Sequence, residues 1–115
     1  MPDYLTFKRR HPRVPHVGPI LVKAAGRELP EQILKTRVLG RGGCMFMSPR
    51  VIGRGCLVSV ALPLGPRVLR AKARVVWERR ESTQEVAVGV EFLHLGAHEV
   101  SLLETVVPLV DSGGF

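Results

Sequence analysis

Between Arg67 and Trp77 the chain alternates well, with Val68, Arg70, Lys72, Arg74 and Val76 on one set of positions and Leu69, Ala71, Ala73, Val75 and Trp77 on the other. The second set is wholly apolar and the first is largely cationic. In a strand, successive side chains point to opposite faces. The segment therefore predicts a strand with one wet face and one buried face, and it puts Trp77 in the core.

The same texture recurs along the chain. Gly18–Ala25, Gln32–Leu39, Cys44–Met47, Cys56–Leu62 and Glu85–Leu93 read as further strands, Cys56–Leu62 most clearly because it is apolar and β-branched. Turn signals separate them: Ala25-Gly26-Arg27, the glycine cluster Gly40-Arg41-Gly42-Gly43, Pro63-Leu64-Gly65-Pro66 and the polar stretch Glu78–Thr83. Gly89, inside a strand pattern, marks a bulge or a close backbone approach. Ala97–Val107 changes period: Val100, Leu102, Leu103, Val106 and Val107 gather on one side of a helical wheel, with Glu99 and Glu104 elsewhere. A helix of about three turns, stopped near Pro108, would cap the strands. The residues alone predict a small antiparallel barrel or sandwich closed by this helix.

At 115 residues there is room for one hydrophobic core, and a 45% hydrophobic content is enough to build it. No apolar run approaches the roughly 20 residues of a membrane span, and the N-terminus carries no apolar leader, so the expectation is a cytoplasmic protein. Cys44 and Cys56 fit a reducing compartment.

The net charge is +7, and residues 1–80 hold all 17 Lys and Arg. The cations attract phosphates of nucleotides, nucleic acids or lipids. They are densest in Lys8-Arg9-Arg10-His11-Pro12-Arg13, within a stretch over 1–16 that Pro2, Pro12 and Pro15 keep out of helix. Arginine forks onto phosphate, stacks on a purine and donates two parallel bonds to guanine. At about 3.3 Å per residue Arg9 and Arg13 stand roughly 13 Å apart, a span that suits two phosphates or two bases.

Arg9-Arg10-His11-Pro12-Arg13 fits R-x-x-x-R, and together with "CLVSVALPLG", "AKARVVWERR" and "VGVEFLHL" in order the chain resembles the PilZ domain, a six-stranded β-barrel that typically binds cyclic di-GMP. The resemblance runs from Arg9 to the C-terminal helix. It implies an all-β antiparallel barrel with a C-terminal helix: a flexible basic arm over 1–16, the barrel over 17–95, the capping helix over 96–110 and a tail over 111–115. It also implies that Arg9 and Arg13 stack on the guanines and hold the phosphates, with Arg10 adding charge and the turn from Gly40 to Gly43 as the facing wall. The family's second motif, Asp or Asn, any residue, Ser, two residues, Gly, falls on Val38–Gly43, where only Gly43 matches. Val38 has no acceptor for a guanine edge and Gly40 no hydroxyl. Each lost contact costs about 0.5–1.5 kcal/mol. Arg41, inside that turn, is a candidate for a compensating phosphate contact.

His11, His16, His94 and His98 form no metal-ligand pattern, and Ser48, Ser59 and Ser101 have no nucleophile context. The expectation is a non-enzymatic receptor or adaptor for cyclic di-GMP that acts in trans on a protein effector. The alternative is a degenerate domain that binds protein only. Aromatics are 5% of the chain and do not interleave with the cations, which disfavours nucleic acid.

Overall fold

The computed structural model describes residues 13–26 and 31–107. Six strands form: β1 (Arg13–Ala24), β2 (Gln32–Gly40), β3 (Gly43–Ser48), β4 (Leu57–Leu64), β5 (Arg67–Ser82) and β6 (Glu85–Leu93), followed by helix α1 (Ala97–Val106). They close into a barrel in the order β1-β2-β3-β6-β5-β4, and every ladder is antiparallel. Closure leaves no long free edge for another chain to pair with.

Alternation fills the barrel. Ile20 and Val22 of β1, Leu39 of β2, Phe46 of β3, Val58, Val60 and Leu62 of β4, Leu69 and Val75 of β5, and Val88 and Val90 of β6 form the buried core. Burying each large side chain contributes about 1.5–3 kcal/mol. Leu102, Leu103 and Val107 join that core, so α1 plugs one end as its periodicity predicts. Val100 departs from the predicted apolar face and is exposed.

Three further expectations change. Strand β1 starts at Arg13, so Arg13–His16, assigned to the arm, are already strand. The polar stretch Glu78–Thr83 is not a turn: β5 continues to Ser82, and Ser82 pairs with Glu85 across a tight hairpin. Cross-strand backbone bonds to β6 hold this segment where its composition gives no apolar pattern. Glu78 also fastens the loop between β3 and β4, accepting N–H bonds from Ile52 at 2.7 Å and Gly53 at 3.2 Å. Trp77 lies outside the core cluster and is half-buried. A register shift between Val75 and Trp77 inverts the alternation, and the indole crosses the bare backbone of Gly89 on β6, with the Arg79 guanidinium 5.9 Å from the ring centroid.

Candidate functional site

Antiparallel pairing of β1 with β2 sets Arg13 opposite Gly40, Val14 opposite Leu39 and Pro15 opposite Val38. Because Leu39 is core and Val14 packs against it, Arg13, Pro15, Val38 and Gly40 belong to the outer face. The second arginine of R-x-x-x-R therefore stands on the strand pair that carries the second motif, and it is exposed. Arg9 and Arg10 lie outside the described residues.

The turn is built tightly. Gly43 faces Glu91 of β6, and a Cβ on Gly43 would overlap the Val90 carbonyl oxygen and come within 3.1 Å of the Glu91 Cα. Only glycine lets β3 leave the turn at this distance. The Gly42 carbonyl accepts the Phe92 N–H at 2.8 Å and ties the turn to β6.

Arg41 has an internal role. Its Nε donates to the Val107 carbonyl at 2.9 Å, and its guanidinium pairs with Glu104 at 3.1 Å. Its side chain is 18% exposed. A cation at the C-terminal end of a helix satisfies a carbonyl that has no partner within the helix and meets the negative end of the helix dipole. The turn and α1 are joined through this side chain, whose two bonds use two of the five guanidinium N–H donors.

Next to the turn, pairing lines up Pro15, Val38, Met45 and Gly89 across four neighbouring strands, and Trp77 lies over the glycine. This outer row is apolar. Met45 is a member that the sequence did not single out, and Trp77 is one that it assigned to the core. For Met45 a signal existed, since it alternates with the core residues Cys44 and Phe46. Burial pushes the Cys44 thiol up to about 12, so it stays protonated and unreactive near neutral pH. Among the described residues, no group of three or more His, Cys, Asp or Glu could hold a metal ion, and no helix is long and apolar enough to cross a membrane.

The family model of the PilZ domain matches residues 7–107. This chain belongs to the PilZ domain family. The barrel is similar to that of the Bacillus subtilis inhibitor of motility MotI/DgrA, with a TM-score of 0.69 and 15% identity over 85% of this chain and 49% of that one. It is also similar to Escherichia coli YcgR in complex with c-di-GMP, with a TM-score of 0.69 and 14% identity over 93% of this chain and 47% of that one. The PilZ domain of YcgR with c-di-GMP gives a TM-score of 0.67 and 14% identity, covering 93% of this chain and 94% of that domain. This PilZ chain thus spans about half of the MotI and YcgR chains, and nearly all of the isolated domain. A sequence comparison with curated proteins gave no significant match.

Proposed function

We propose that this PilZ protein is a receptor for cyclic di-GMP that passes the signal to a protein effector in trans. The observation that carries the reading is the pairing of Arg13 with Gly40, which unites the end of the arginine motif with the glycine turn. An exposed guanidinium beside a turn without side chains at Gly40, Gly42 and Gly43 has room to fork onto a phosphate or lie on a purine. Arg9 and Arg10 complete the cationic set by sequence. Binding of cyclic di-GMP by the structurally similar YcgR supports this ligand. Titration calorimetry of cyclic di-GMP into wild type and Arg13→Ala tests it. Micromolar or tighter binding that the substitution abolishes is expected, and no heat at high ligand concentration overturns it.

One observation favours a second reading. Val38 stands where the family has an acid or amide, and it belongs to the apolar row with Pro15 and Met45. A domain that has lost both side-chain hydrogen-bonding groups at this turn fits a protein-interaction module that works without the nucleotide. The same titration separates the two.

A further inference from the structure

Elsewhere on the barrel wall, β4 lies between β1 and β5, and its outward residues are small in the middle. Val58, Val60 and Leu62 are core, which turns Ser59 and Ala61 outward. Pairing sets Lys23 and Lys72 on either side of Ser59, and Leu21 and Arg70 on either side of Ala61. Ser59, half-buried, and Ala61, 6% exposed, form a low floor between the longer side chains of β1 and β5, a shallow trough by side-chain size. Its cations Lys23, Arg70 and Lys72 are exposed, and among the described residues none has a carboxylate within ion-pairing distance. Arg74, next along β5, is paired with Glu91 at 3.6 Å. The ends of the trough are apolar: Leu57 is 45% exposed and Val68 is 44% exposed.

We infer that this trough is a docking surface for an extended acidic segment of a partner protein, separate from the arginine-and-turn site. Three features select that occupant. Arg70 and Lys72 sit two residues apart on one strand, so they repeat at about 6.6 Å, the interval at which an extended peptide presents alternate side chains. A segment with acids at every second position meets them in register, and Lys23 closes over it from about 10 Å across the trough, two strand spacings away. Leu57 and Val68 at the ends suit apolar side chains flanking the acids, which a phosphodiester backbone does not offer. No described aromatic side chain lies on this face, so it offers no platform for stacking a base. The backbone of β4 is already bonded to β1 and β5, so the segment is held by side chains and not by strand addition.

The test is fluorescence anisotropy of the full chain with a labelled peptide that carries three glutamates at alternate positions between two leucines. Wild type binds, and Lys23→Glu/Lys72→Glu weakens binding at least about tenfold. Lys35→Glu/Arg37→Glu, the same charge change on the β2 face, weakens it less than about threefold. Ser59→Arg raises the net charge by one yet fills the trough, so it weakens binding. Thermal melts confirm that each variant is folded. The proposal is overturned if wild type does not bind the peptide or if the two double variants lose affinity equally. Tighter binding by Ser59→Arg also overturns it, as does a 20-base-pair duplex that binds more tightly than the peptide with the same residue dependence.

Discussion

Strands β2 and β4 flank β1 in the same barrel and are built differently. The ladders that join β4 to β1 and to β5 run without a break in register. Both ladders of β2 shift, between Pro15 and Gly18 on one side and between Thr36 and Val38 on the other. The β5–β6 ladder shifts next to Trp77. The inner surfaces still merge into one core. The difference lies outside: an added residue re-aims the side chains that follow it. Around β2 the shifts bring Pro15, Val38 and Trp77 onto the outer row beside the turn. Around β4 nothing is re-aimed, and the outer face keeps the regular cationic repeat that the sequence displays.

The largest break in this comparison comes at Gly43. An added methyl there meets backbone, the Val90 carbonyl, and not a side chain that can swing away. Gly43→Ala should cost about 3 kcal/mol or more, read as a drop in the urea midpoint. Ser59→Ala on the regular side should stay within about 0.5 kcal/mol. Equal effects would mean that the β3–β6 seam is no tighter than the β4 wall.

A smaller effect separates the two cysteines, which lie one on each side. Cys44, on β3 against Val90, is sealed, and its thiol is raised from 9.0 to about 12 by burial. Cys56, at the start of β4, is only half-buried. Above pH 9 the unfolded chain releases the Cys44 proton while the folded chain keeps it. The stability from that buried neutral thiol is therefore complete below pH 9 and falls toward pH 12, by about 1.4 kcal/mol per pH unit. Between pH 8 and 10.5 wild type should lose about 2 kcal/mol more than Cys44→Ala in urea unfolding. Parallel pH profiles would mean that the β3 seam opens to solvent.

How far the sequence reaches follows the same division. The regular side was legible because the hydrophobic pattern is local: β4 and the first half of β5 carry it in their own residues. At Trp77 the reading failed because one extra residue in a ladder inverts the phase, and nothing in Val75-Val76-Trp77 marks it. Glu78–Ser82 failed because a strand held by cross-strand backbone bonds needs no apolar pattern. At the candidate site, Gly43 was legible through a family motif, and its physical reason is the nearness of β6. The bonds of Arg41 were not legible, since Glu104 lies 63 residues further along the chain and nothing in a linear pattern joins a turn to the last turn of a helix.

The smallest effect tests the shift itself. Thr36 sits at the break between β2 and β3, paired with Gly18 and Phe46, and is fully buried. Among the described residues its Oγ1 has no hydrogen-bond partner. A buried hydroxyl without a partner carries a desolvation cost that no bond offsets, and a valine of the same shape removes that cost. Thr36→Val should therefore stabilise the protein by about 1 kcal/mol, a rise in Tm of about 4–8 °C for a domain of this size. It should leave cyclic di-GMP binding unchanged, because the side chain faces the core and the turn lies beyond it on the outer face. A fall in Tm would mean that the hydroxyl is bonded at the break and helps to hold the shifted register. The irregular side would then be maintained by a polar contact inside the barrel, and the contrast with β4 would extend from the outer surface into the core.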